Sequence, residues 1–221
     1  MTPDTRHTPA PPLPLRLYGR RSSHFTRVAL IFADELDISY EFVPIHDMAA
    51  TDPEVYGGNP ALKMPTLRRG DSAVFGAANI CRALADLADL PPPILWPEDL
   101  RSDLARSADE MVWHGMAAQV QLVGGVHLAR LPADSPYFIK ARRGFEGALT
   151  WLDAHLPQIL PQLPPRHLSL LEVALYCLID HIAFRRTLPL DPYPTLRQFA
   201  QTFAERPSAA RTAHRFDPPP T

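Results

Sequence analysis

Asn59-Pro60-Ala61-Leu62-Lys63-Met64-Pro65-Thr66-Leu67, with Asp71-Ser72-Ala73-Val74-Phe75 close behind it, is the stretch around which the rest of the chain can be ordered. Pro65 has no backbone N–H to give to a sheet, so it belongs at a strand entrance and not within a central strand. An X-Pro bond is also the one bond type for which a cis peptide is accessible. A cis turn at Met64-Pro65 points the N–H and C=O of Met64 outward, ready to pair with an extended peptide ligand. A trans proline that simply starts a strand is the plainer alternative.

The neighbours of this stretch supply its context. Leu15-Arg16-Leu17-Tyr18 alternates and reads as a short strand. Arg20-Arg21-Ser22-Ser23 offers a loop and a helix N-cap, after which Phe25, Val28, Ala29, Ile31, Phe32 and Leu36 recur at helical spacing as one apolar face. Residues 37–45 alternate again and read as a second strand. The proline turn, a hairpin and a helix over 77–87 follow. Strand, helix, parallel strand, then hairpin and helix is the βαβ–ββα order of a thioredoxin-like domain.

The second half reads as helical. Residues 89–98 hold Pro91-Pro92-Pro93 and Ile94-Leu95-Trp96-Pro97, a stiff linker whose apolar residues pack between two domains. Residues 99 to about 131 and 135 to about 156 carry long helical periodicity and should pair antiparallel, with Gly124-Gly125 kinking the first. Ser169 and Glu172 form a capping box, with Leu168 and Val173 placed as its hydrophobic staple. The helix that follows, to about Phe184, is apolar nearly all round and belongs at the centre of its domain. The layout is therefore a disordered Pro-rich arm (1–13), a thioredoxin-like domain (14–88), a linker (89–98), an all-α domain (99–215) and a tail (216–221).

Composition narrows the function. The 221 residues suffice for one large or two modest domains with full cores. A net charge of −2 gives no electrostatic case for nucleic acid or an anionic membrane. No apolar run approaches the roughly 20 residues needed to span a bilayer. The amino-terminal arm lacks the apolar core of a secretory signal. The 26 prolines fall mostly outside the helical patterns and punctuate the chain. Cys81 and Cys177 lie on apolar helix faces and read as buried small hydrophobes, which suits a reducing, cytoplasmic setting. The nine histidines show no metal-ligand spacing, so no metal is expected; Asp180-His181 reads as a hydrogen-bonded core pair.

Three strings together resemble the amino-terminal domain of glutathione S-transferases: Leu17-Tyr18-Gly19…Ser22-Ser23…Arg27-Val28-Ala29-Leu30, then Tyr40-Glu41-Phe42-Val43-Pro44-Ile45, then Asn59-Pro60…Lys63-Met64-Pro65-Thr66-Leu67. The Arg-Ser-Ser run with Arg-Val behind it is most similar to the serine-type classes, the zeta class among them. Residues 168–175 resemble the buried capping-box helix of that family. Tyr193-Pro194-Thr195-Leu196 and Glu205-Arg206-Pro207-Ser208 match its closing phrases, so the resemblance spans residues 14–213.

The resemblance implies glutathione as co-substrate and a small hydrophobic or unsaturated electrophile as partner, in a homodimer. Such an enzyme must favour the thiolate, which is the nucleophile, over the thiol. A hydroxyl donor at a helix amino end does this, helped by the helix dipole. Ser22 is preferred as that donor by its spacing to Val28, with Ser23 as substitute; one of the two serines is an N-cap. Tyr18 occupies the place of the donor in tyrosine-type classes, and is otherwise packing. Pro65 shapes the turn through which the Met64 backbone pairs with the cysteinyl part of glutathione, Lys63 approaches its glycine carboxylate, and Arg20 and Arg21 make the mouth cationic. Met111, His114 and Gln119 line the co-substrate pocket if their helix faces the first domain.

The chain departs from the family where a Glu/Gln-Ser pair holds the γ-glutamyl end. Gly76 and Ala77 stand there, and neither side chain can hydrogen-bond. Losing two such contacts costs about 3 kcal/mol or more, a hundredfold or greater in affinity. Two functions stay open: glutathione conjugation or glutathione-dependent isomerisation, and a non-catalytic binding or regulatory protein that kept the fold.

Overall fold

A computed structural model describes residues 14–219; the arm at 1–13 lies outside them. β1 (Leu15–Gly19), α1 (His24–Glu35) and β2 (Glu41–Pro44) form the βαβ unit. β3 (Thr66–Arg69), β4 (Ser72–Phe75) and α2 (Ala77–Ala85) complete the thioredoxin-like domain, with a short 3-10 turn at Pro53–Tyr56 between the halves. The sheet order is β2-β1-β3-β4, with β1 parallel to β2 and antiparallel to β3, and β3 antiparallel to β4. The helical domain holds α3 (Asp103–Gln121), α4 (Pro136–Ile159), α5 (Leu170–Arg185), α6 (Pro194–Ala204) and α7 (Pro207–Arg211). The second strand is shorter than its alternation suggests, because residues 37–40 are spent on the turn out of α1, where Asp37 takes φ 52°.

α1 is buried on more than its apolar stripe. Val28, Ala29, Ile31 and Phe32 are fully enclosed, and so are His24, Thr26 and Arg27 on the rest of the helix. Helix α1 packs against α2 and also against α5 of the helical domain, so it is a core element of both. Its last residue, Glu35, ties the far end of the chain down. Arg206 donates from Nε and Nη2 (2.9 Å each), Ser208 from Oγ (2.5 Å), and His167 Nε2 lies at 2.9 Å. Burial alone would raise the Glu35 carboxyl, yet these hydrogen bonds outweigh it and hold the group down at about 2.

The linker is structured. Ile94–Leu95 forms β5 and pairs in parallel with β6 (Leu168–Ser169), directly before α5. Ser169 is the N-cap, accepting from Glu172 N at 3.4 Å. The Glu172 carboxylate is turned to Arg166 instead of the cap, so one half of the expected box forms. Beyond α3 the chain passes through a π-helical stretch, Leu122–Leu128, in place of a sharp kink. Gly125 is needed there: a Cβ would sit 2.4 Å from the Phe138 ring on α4. Among the described residues, no helix is long and apolar enough to cross a membrane.

Candidate functional site

The sheet register brings three chain segments together. Tyr18 pairs with Thr66, and Thr66 pairs with Phe75. The next residues therefore meet at one end of the sheet: the β1–α1 loop after Gly19, the Met64-Pro65 turn before β3, and Gly76 after β4. The Met64-Pro65 bond is cis. Gly76 N donates to Pro65 O at 3.4 Å, joining the start of α2 to the turn. Asn59, only 4% exposed, organises the approach: its Nδ2 donates to Lys63 O at 2.9 Å and its Oδ1 accepts from Ala61 N at 3.0 Å. Pro65 is buried, Met64 half-buried and Lys63 exposed. Neither the N–H nor the C=O of Met64 has a hydrogen-bond partner among the described residues.

The two serines separate by role. Ser23 is the N-cap of α1, its Oγ accepting from Thr26 N at 3.3 Å. Ser22 is enclosed (1% exposed), and its hydroxyl has no partner among the described residues, while its carbonyl faces His181 Nε2 at 3.0 Å. Gly76 caps α2 at φ 86°, ψ 139°, a conformation that suits glycine. A Cβ there would meet nothing within 4 Å, so open space stands where a longer side chain would project. Ala77 opens the helix and is buried; Asn79 donates to Phe75 O at 3.2 Å. The first N–H groups of α2 thus face this space with no side-chain cap.

The mouth is less cationic than the paired arginines suggest. Asp217, near the carboxy end, accepts from Arg21 N (3.0 Å) and from Arg21 Nη1 (2.9 Å). The Arg21 guanidinium also lies 3.9 Å over the Phe42 ring, which leaves Arg20, donating to His46 O at 3.4 Å, as the member of the pair with no acidic partner among the described residues. Tyr18 is half-buried with its ring beside Gly57. Met111 packs against the core, His114 is exposed and 3.0 Å from Glu110, and Gln119 is fully buried. Asp180 pairs with Arg27 and not with its neighbour His181. Burial pushes the Cys177 thiol up to about 12 and raises Cys81 as well, so neither is a ready nucleophile.

Behind the loop lie three buried histidines that the sequence does not group: His24, His181 and His214. Ring centroids are 4.3 Å apart for His24–His181 and 5.2 Å for His181–His214. His24 Nε2 contacts Met116 O at 3.0 Å, and His214 Nδ1 contacts Arg21 O at 3.2 Å. They come from α1, α5 and the stretch after α7, so only the folded chain reveals them. Among the described residues, no three His, Cys, Asp or Glu side chains are grouped to hold a metal ion. A groove of about 400 Å³ beside the linker, lined by Arg82, Pro91, Pro92 and Trp96 among others, shares no residue with the site.

Residues 17–92 match the family model of the glutathione S-transferase N-terminal domain. Three solved structures share the fold. A glutathione transferase family member from Pseudomonas fluorescens Pf-5, with bound glutathione, superposes with a TM-score of 0.72 at 19% identity, covering 91% of this chain and 99% of that one. A glutathione S-transferase from Methylobacillus flagellatus, also with glutathione bound, gives 0.70 at 21% identity over 91% and 100%. One from Methylobacterium radiotolerans in complex with glutathione sulfonate gives 0.69 at 21% over 94% and 97%. No curated protein matches the sequence.

Proposed function

We propose that this chain, whose residues 17–92 match the glutathione S-transferase N-terminal domain, is a glutathione-dependent enzyme of the serine type. The observation that supports this reading is the meeting, at one sheet end, of the Met64 backbone, which has no partner among the described residues, the uncapped amino end of α2 and the loop that carries Ser22. Glutathione's cysteinyl residue pairs with Met64, beside Pro65; Lys63 reaches the glycine carboxylate; the γ-glutamyl carboxylate lies over Gly76 and meets the backbone N–H of Ala77 at the amino end of α2. Ser22 donates to the sulfur, the thiol proton leaves to solvent, and the thiolate adds to an electrophilic carbon. Ser23 caps the helix whose dipole assists. Conjugation of a small apolar electrophile, or cis–trans isomerisation of an unsaturated acid in the zeta manner, fits this arrangement.

A cytoplasmic homodimer completes the proposal, supported by two buried free thiols and by exposed apolar side chains from the π-helical stretch to the first turn of α4, Leu128, Leu131 and Tyr137 among them. The Gly76-Ala77 pair favours a second reading, a binding or regulatory protein with weak glutathione affinity.

Calorimetric titration with glutathione and turnover of a chromogenic electrophile separate the two. Ser22→Ala should lower kcat/KM by roughly tenfold to a hundredfold, since a hydrogen bond to a charged group contributes about 1.5–3 kcal/mol. Ser23→Ala should instead cost about 1 kcal/mol of stability as a lost cap. Saturable binding without turnover selects the second reading; a Ser22→Ala enzyme as active as the parent sinks the assignment of the donor. Restoring the clamp should also be visible. Ala77→Ser adds a donor at an unstrained position and should tighten glutathione about tenfold, a gain of about 1.4 kcal/mol. Gly76→Gln should gain less, because φ 86° disfavours a side chain.

A further inference from the structure

The loop that carries Ser22 presents two consecutive backbone carbonyls to histidines of the helical half: Arg21 O to His214 Nδ1 at 3.2 Å, and Ser22 O to His181 Nε2 at 3.0 Å. A carbonyl only accepts, so each of those ring nitrogens must carry a proton. On the other side of His181, Gln119 Nε2 lies 3.0 Å from Nδ1. Gln119 Oε1 in turn accepts from Thr187 Oγ1 at 2.9 Å, which orients the amide. Donation therefore runs one way, from Thr187 to Gln119 to His181 to Ser22, and it requires a neutral ring protonated on Nε2. All four members are buried, at 7%, 0%, 3% and 1% exposure. Arg185 Nε, 3.4 Å from the same His181 nitrogen, is the longer contact and cannot be satisfied together with the carbonyl.

We propose that His181 is a positioning residue for Ser22. Held in one tautomer by Gln119 and Thr187, it fixes the Ser22 carbonyl and with it the direction of the hydroxyl at the amino end of α1. Tolerances at such a site are tight, and a donor braced from behind by buried hydrogen bonds meets them. His214 braces the preceding carbonyl in the same manner. The role in catalysis rests on the reading of Ser22 as thiolate donor; the clamp itself can be measured in the ligand-free protein.

The test compares the parent with His181→Phe, which keeps ring bulk without hydrogen bonds, and His181→Gln, whose Nε2 keeps a donor for Ser22 O. Backbone hydrogen exchange is followed over residues 20–24 without ligand, and the thiol pKa of bound glutathione by thiolate absorbance. His181→Phe should speed exchange in that segment about tenfold, the equivalent of about 1.4 kcal/mol. It should also move the bound thiol toward its free value and lower kcat while KM for glutathione changes little. His181→Gln should recover most of both effects, which a purely space-filling role would not allow. Thr187→Val, at the far end of the chain, should loosen the same segment to a smaller extent and serves if His181→Phe does not fold. Parent-like exchange over 20–24 in His181→Phe, or in Thr187→Val where that is the variant measured, overturns the clamp, as does a loss in His181→Gln as large as in His181→Phe. A parent that leaves the glutathione thiol unshifted, with the exchange contrast intact, supports the clamp and removes the thiolate role.

Discussion

Mild acid should destabilise this protein more steeply than any single substitution on its surface. His24, His181 and His214 are buried as neutral rings. Burial is the main cause in each case. Arg185 adds to it at His24, which is lowered to about 4, and Arg27 adds to it at His214, lowered to about 3. His181 is depressed as well, by burial first and then by the neighbouring His24, His214 and Arg185. At His214 the hydrogen bond to the Arg21 carbonyl tempers the effect. A folded value below the unfolded one near 6.5 means that the unfolded chain binds the extra protons. Stability is therefore full above about pH 6.5 and is lost as pH falls toward the folded values. Each histidine costs about 1.4 kcal/mol per pH unit in that window, and three together up to about 4 kcal/mol per pH unit, against a total stability of about 5–15 kcal/mol. Urea midpoints measured from pH 7.5 to 4 should fall steeply below 6.5, and His24→Phe should flatten the slope by roughly a third. Glu35, held at about 2, keeps its contribution until pH drops below about 4.5, so the two windows are distinct. A midpoint that stays level between pH 7 and 5 would show that the rings are not held neutral.

The same cluster explains what the sequence hides. The architecture is legible because its signals are local: alternation in β1, a helical stripe in α1, a proline before β3, and a serine ahead of α5. The departure at Gly76-Ala77 is legible for the same reason, since motif spacing carries it. What escapes is set by contacts between residues distant in the chain. The α1 stripe marks the face that packs in its own domain, yet His24, Thr26 and Arg27 lie off it and are buried too: α3 and α5 cover His24, α5 and α7 cover Arg27, and Thr26 is turned onto Gly19 and the Arg20 N–H. A polar residue on a helix reads as solvent-facing until a second layer is known. The partner of Asp180 is misread likewise: sequence adjacency suggests His181, while the fold supplies Arg27 from 153 positions away. The linker shows a third case. Ile94-Leu95 reads as packing material, and its hydrogen bonds to β6 depend on a partner strand of two residues that has no signature of its own.

Arg27 is where these distant contacts concentrate, and its removal should be the most damaging single substitution. The side chain rises from α1, in the thioredoxin-like domain, and is 1% exposed. It pairs with Asp180, and its Nη2 donates to Tyr176 Oη at 3.0 Å and to Ala209 O at 3.0 Å, while its guanidinium sits 4.8 Å from the Tyr176 ring centroid. One cation thus serves an acid, a phenol and the carbonyl of α7, all in the helical half. Arg27→Ala leaves those three groups without a donor and opens a void beside α5. Breaking a buried ion pair costs about 3–5 kcal/mol, and the partial exposure of Asp180, 38% at its side chain, places this one near the lower end. At roughly 2–4 °C per kcal/mol for a chain of this size, Tm should fall by about 6–12 °C. Arg27→Lys keeps the charge opposite Asp180 but has no planar fork to reach Tyr176 and Ala209 together, so it should recover only part of the loss. Thermal unfolding of the two variants against the parent gives the answer, and a loss below about 1 kcal/mol in Arg27→Ala would mean that water replaces the guanidinium at little cost. The consequence would not stay in the core. α1 begins at the Ser22-Ser23 loop, so a helix loosened at Arg27, one turn beyond its N-cap, should also relax the end of the molecule where glutathione is proposed to bind.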